Sequence, residues 1–142
     1  MLSIATAQDL SEAGLSWSPA PFDFFAIPNM GLDERIFVIS EMPAAIAKIQ
    51  GRSMVTFDGA AEWALDYVAS GEVLWLPTEE QLRTLVAARL GADADPALTL
   101  VTTSDRCRCE IRWQGRALSF EAANGSEAYA AALLELLRSP AG

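Results

Sequence analysis

The sequence has no histidine, one lysine (Lys48) and two cysteines, Cys107 and Cys109. Without imidazole, Ser–His and Cys–His nucleophile activation is excluded, as are histidine proton shuttling near neutral pH and any zinc site that needs a ring nitrogen. Basic residues are scarce: ten, against nineteen acidic ones, for a net charge of −9. Nonspecific nucleic-acid binding depends on Lys and Arg neutralising phosphates. The balance therefore argues against a nucleic-acid partner and suits a basic partner or simple solubility. No apolar run approaches the ~20 residues of a membrane span. Met1-Leu2-Ser3-Ile4 lacks the basic start and long apolar core of a signal peptide. The expectation is a cytoplasmic protein with no membrane partner. Phosphate loops, a Gly-x-Ser-x-Gly elbow and calcium-loop spacing are also missing, so no cofactor, metal or catalytic residue is assigned.

What is present is material for a core. Of 142 residues, 51% are hydrophobic and 20% charged. A chain of this length buries roughly 68–70% of its unfolded surface and needs no disulfide or metal staple. The nine arginines accompany many alanines and read as compositional bias rather than as a site. Asn124-Gly125-Ser126 matches a glycosylation pattern, which a cytoplasmic chain does not use.

The stretch from Asp58 to Leu90 organises the rest. Asp58 suits an N-cap, Ala61, Ala64, Leu65 and Val68 follow at helical spacing, and Gly71 suits a left-handed cap. Val73 to Leu76 is apolar on both faces, as a central strand would be. Thr78 and Gln81 form a capping-box pattern ahead of a stripe of Leu82, Leu85, Val86 and Leu90, ended by Gly91. Before this unit, the spacing predicts a helix from Ser3 to Ala13 and strands over Phe22–Ile27 and Arg35–Ile39 as a hairpin. A short helix from Pro43 to about Gln50 follows, then a strand over Ser53–Phe57. After it come a strand over Leu98–Thr102 and a hairpin of Cys107–Trp113 with the strand after Gln114-Gly115. That two-residue loop sets Trp113 opposite Arg116, Ile111 opposite Leu118 and Cys109 opposite Phe120. It also sets Arg108 opposite Glu121 as a cross-strand ion pair. A last helix starts near Ser126, with Tyr129, Ala132, Leu133, Leu136 and Leu137 as its stripe.

The order αββαβαβαβββα, dominated by antiparallel hairpins, defines an α+β class with sheet packed by helices. One compact domain over 1–142 is expected, with 1–76 and 77–140 as candidate subdomains.

Three side-chain groups carry candidate chemistry. Cys107 and Cys109 share a strand face about 6.5–7 Å apart along it, which resists a disulfide and lacks partners for zinc; they read as buried core. Asp58, Glu62 and Asp66 fall at i, i+4 and i+8, an acidic ridge on the expected helix. Trp63, Tyr67 and Trp75 are the aromatics that would line a pocket. The helix–three-strand–helix run from Thr78 to Arg138 has the order of a double-stranded-RNA-binding domain. Its last helix, however, opens Gly125-Ser126-Glu127-Ala128, with no basic residue for phosphate.

The stretches AGLSW, DFFAIP, ERIFVIS, EWALDYV, WLPTEEQLR and SEAYAAALLELL span nearly the whole chain. Together they resemble a group of small uncharacterised bacterial proteins, some labelled pilus assembly protein CpaE. The half from WLPTEEQLR to ALLELL is also similar to small phage-encoded α/β sandwich proteins. The resemblance implies a compact α+β fold and adds no catalytic residue. The chain has no phosphate loop to receive nucleotide-binding residues.

The leading functional expectation is a non-catalytic cytosolic interaction or accessory module. Its protein partner is basic, its ridge is Asp58, Glu62 and Asp66, and self-association is left open. The alternatives are a small carboxylate-dependent, metal-assisted enzyme on the same ridge, and a small-ligand binder built on Trp63, Tyr67 and Trp75. An enzyme requires converging carboxylates of perturbed pKa, a binder an apolar cavity with a few polar groups, and an adaptor an exposed apolar or single-sign patch.

Overall fold

The computed structural model describes residues 1–27, 32–38, 44–49, 52–57, 68–69, 73–91 and 97–139. In chain order the elements are α1 (Ile4–Glu12), β1 (Phe24–Ile27), β2 (Leu32–Val38), β3 (Ala44–Ile49), β4 (Arg52–Phe57), β5 (Val68–Ala69), β6 (Leu74–Leu76), α2 (Glu79–Leu90), β7 (Leu98–Thr102), β8 (Cys107–Trp113), β9 (Arg116–Ala122) and α3 (Gly125–Arg138). The strands form three antiparallel sheets, ordered β2-β1-β6, β3-β4-β5 and β7-β8-β9. The fold is α+β. By contacts the chain divides into two compact units: Met1–Leu15 with Pro77–Gly142, and Ser16–Leu76.

In the first unit, α3 carries the core. Tyr129, Ala132, Leu133 and Leu136 are buried at helical spacing, while Leu137 is half-buried. Against this stripe lie Leu82, Val86 and Leu90 of α2, with Leu2, Ala7 and Leu10 buried at α1. Both longer helices start as their sequences dictate. The Thr78 hydroxyl accepts from the Gln81 amide at 3.2 Å, and the Gln81 side chain accepts from the Thr78 amide at 2.9 Å, a closed capping box. Asn124 caps α3 by accepting from the Glu127 amide at 2.9 Å. Gly125 leaves open the space beside the first turn of α3 that the Glu79 carboxylate occupies, where a negative charge meets the positive end of the helix dipole.

The β8–β9 register is the expected one, residue for residue, and Gln114 and Gly115 both take positive φ, 50° and 74°, as the tight hairpin turn requires. The ion pairing differs. Arg108 bonds Glu110 on its own strand at 2.8 Å, and Glu121 is approached by Arg106 at 3.9 Å. Register fixes Cα positions, but a long exposed side chain chooses among partners that differ by well under ~1 kcal/mol.

Of the two thiols, Cys109 is fully buried and Cys107 only half-buried, with Thr102 Oγ1 at 3.7 Å; both are free. The expectation of two buried thiols is corrected for Cys107, which lies at the start of its strand. Burial first, and the neighbouring Glu110 charge second, push the Cys109 thiol up to about 11. Burial also raises the Tyr129 hydroxyl. The unfolded thiol loses its proton first, so between about pH 9 and about pH 11 the native state binds more protons than the unfolded one. Stability is full below that window and falls as pH rises through it. In native protein at pH 8 a thiol reagent should label Cys107 and reach Cys109 only after denaturant is added; equal rates at both would contradict the burial.

α1 is tied to α3 through one carboxylate. Glu127 Oε1 accepts from the Ser3 amide at 2.8 Å and Oε2 from the Thr6 hydroxyl at 2.7 Å. Ser3 in turn caps α1 by accepting from the Thr6 amide. Glu127→Ala should cost about 1–3 kcal/mol, since hydrogen bonds to a charged group contribute about that much. Amide exchange should accelerate in α1 before anywhere else in the unit; a uniform acceleration would contradict the tether.

The second unit departs from expectation in two places. Residues 44–49, expected as helix, form strand β3, paired over six positions with β4. A helix of about eight residues is marginal alone, and the i, i+3 spacing of Ile46 and Ile49, which favours a helix, is overridden by the partner strand alongside. Val68, expected in a helical stripe, is in β5 and pairs with Val55. The rest of that expected helix, residues 58–67 with Asp58 as cap, lies outside the described residues, as do Gly51 and Gly71 and the turn at 28–31. The hairpin of β1 and β2 is present: Phe24 pairs with Val38 and Ala26 with Ile36, and the register then slips so that Ile27 meets Leu32. Among the described residues, no helix is long and apolar enough to cross a membrane.

Candidate interaction surface

The site begins with a turn. The Asp23 amide donates to the Ala20 carbonyl at 3.1 Å, closing a four-residue turn with Pro21 and Phe22 at its centre. Proline suits the second position, where its fixed φ is already correct. The third position requires positive φ and ordinarily takes glycine or asparagine; here it is Phe22, at φ 71°. For a bulky L-residue this costs roughly 1–2 kcal/mol. The expected strand over Phe22–Ile27 accordingly starts only at Phe24.

The buried Asp23 side chain locks the turn. Its Oδ2 accepts from the Ala20 amide at 3.1 Å and from Trp17 Nε1 at 2.9 Å. Trp17 lies nearly parallel to Trp75, with ring centroids 6.4 Å apart and planes 10° apart, and is 6.0 Å from Phe25. One face of the sheet thus rests on a Trp17–Phe25–Trp75 group, in which Phe25 and Trp75 are cross-strand partners. Trp75 Nε1 is buried, and among the described residues no group accepts a hydrogen bond from it.

On the opposite face, cross-strand partners form two rows, Leu76–Phe24–Val38 and Leu74–Ala26–Ile36. Burial is lost at the β2 end of each row. Leu74 and Leu76 are buried, but Ile36 is 42% and Val38 51% exposed on the edge strand β2. Phe22, two residues before the partner of Val38, is 62% exposed. Scattered exposed apolar side chains are ordinary. Here, however, three of the four large apolar side chains that are exposed among the described residues belong to one hairpin and its entry turn.

Of the sequence-predicted site residues, Trp75 is described: it is half-buried in the aromatic group. Asp58, Glu62, Asp66, Trp63 and Tyr67 lie outside the described residues. Phe22, Ile36 and Val38 were not singled out from the sequence. The signal available was the tetrapeptide Ala20-Pro21-Phe22-Asp23, whose proline and aspartate mark a turn. Among the described residues, no three Cys, Asp or Glu side chains gather where a metal ion could be held. Among the described residues, burial moves the Cys109 thiol and the Tyr129 hydroxyl upward, away from the ionised form that a nucleophile needs. No protein-family model, curated protein or solved structure matches this chain.

Proposed function

We propose that the protein is a non-catalytic cytosolic interaction module that docks a protein partner on the margin formed by Phe22, Ile36 and Val38. One observation carries this reading: Phe22 takes a positive φ with its ring largely in water. Glycine there would remove the backbone cost, and a polar residue would remove the apolar exposure. Strain kept beside an exposed apolar edge is what a contact site requires and a solvated loop does not. The pilus-assembly label of the resembling proteins names one setting for such a module.

Phe22→Gly separates the two roles of the residue. The variant should be more stable than the parent by about 1 kcal/mol and should lose the partner complex isolated from native lysate and rebuilt from purified components. A more stable variant that keeps the complex would sink the proposal. The small-ligand alternative is favoured by one feature, the buried Nε1 of Trp75, a donor without an acceptor among the described residues that a ligand's acceptor would satisfy.

A further inference from the structure

We infer that β2 receives an extended, basic segment of the partner as an added strand, so that the sheet β2-β1-β6 is lengthened at its β2 edge; this rests on the interaction reading above. Three observations lead there. First, β2 is an end strand of its sheet, and its outer edge carries no further strand among the described residues. Among the described residues no strand pairs with the backbone groups of that edge, and strand addition to such an edge obtains affinity without a pocket. Second, Ile36 and Val38 stand two residues apart on one face, 42% and 51% exposed, at the open end of rows whose other ends are buried. An added strand with apolar side chains at every second position would extend those rows, and β-branched cross-strand pairs are favourable. Third, residues 16–76 carry eight Asp and Glu against three Lys and Arg. The charge of this unit attracts a cationic segment and repels a second copy of itself.

The partner is therefore a protein segment with apolar residues at alternate positions and Arg or Lys between them. Electrostatics would speed its encounter, and the edge hydrogen bonds and apolar rows would hold it.

The test uses a fluorescein-labelled heptapeptide, Arg-Val-Arg-Ile-Arg-Val-Arg, its Glu-for-Arg counterpart, and a backbone N-methylated form of the basic peptide, titrated onto the full chain at physiological salt. The basic peptide should bind. Ile36→Thr combined with Val38→Thr, which keeps β-branching, should weaken it at least tenfold with the unfolding midpoint unchanged. N-methylation should abolish binding, and amide exchange should slow in β2. Binding that survives N-methylation or the double substitution is charge attraction alone and overturns the inference. So does equal binding of the acidic peptide, or failure of the basic one to bind. Self-association that the double substitution dissolves also overturns it, by naming a second copy as occupant, while leaving the interaction reading standing. The interaction reading fails separately, if the native complex is indifferent to Phe22, Ile36 and Val38 alike.

Discussion

Leu133→Ala is expected to cost about 2–5 kcal/mol, the range for removing a fully buried leucine side chain and leaving a cavity. Leu133 is 0% exposed, in the middle of the buried stripe of α3. That helix packs on β8, β9, α2 and α1, so it touches every other helix of its unit. Since a domain is stable by only about 5–15 kcal/mol in total, the loss is a large fraction. The urea midpoint should fall by on the order of 1 M at the m-values usual for small domains. Leu133→Met, close in volume, should cost under about 1.5 kcal/mol. Similar midpoints for the two variants would mean that the stripe does not pack as described.

Asp23→Ala is expected to cost about 2–4 kcal/mol. It removes the carboxylate that two part-buried donors share, the Trp17 indole N–H and the Ala20 amide, and a hydrogen bond to a charged group contributes about 1.5–3 kcal/mol. It also removes the lock on the turn that holds Phe22 at positive φ. Two readouts follow. Tryptophan emission should shift to the red as Trp17 loses its hold beside Trp75 and Phe25. In a double-mutant cycle the cost should shrink on a Phe22→Gly background, where the turn is no longer strained and needs less support; such coupling is the mark of residues acting together. Additive costs would show that Asp23 supports the indole alone. Asp23→Asn keeps an acceptor oxygen and should lose less than the alanine variant.

The parts of the fold that were legible from sequence are those whose cause is local. Thr78 and Gln81 cap α2 because both partners of the capping box lie within one turn. The β8–β9 register follows from a two-residue turn and an alternation that only one pairing satisfies. Residues 44–49 were not legible in this way. Alanine and isoleucine permit helix or strand, and the choice was made by β4 lying alongside. The interaction margin was hidden for a different reason. Phe22, Ile36 and Val38 read as ordinary core residues, since hydrophobicity marks what can be buried and not what is. Ile36 and Val38 are exposed on a strand that ends its sheet among the described residues, a fact of strand order, and Phe22 is exposed in the turn that precedes β1.

Composition and local pattern determined that imidazole chemistry is closed to the chain, that α2 is closed by a capping box, and that β8 and β9 form a tight hairpin. These follow from residue types and from contacts within a few positions along the chain. Tertiary structure alone decided that α1 joins the unit formed by residues 77–142, through a carboxylate 124 positions from the amide it accepts from. It also decided that one thiol of the Cys107–Cys109 pair is buried and the other half open, and that a phenylalanine is held at a backbone angle suited to glycine. Each of these depends on what lies across space from a residue. A linear pattern of hydrophobic and polar positions constrains that only where a single partner fits.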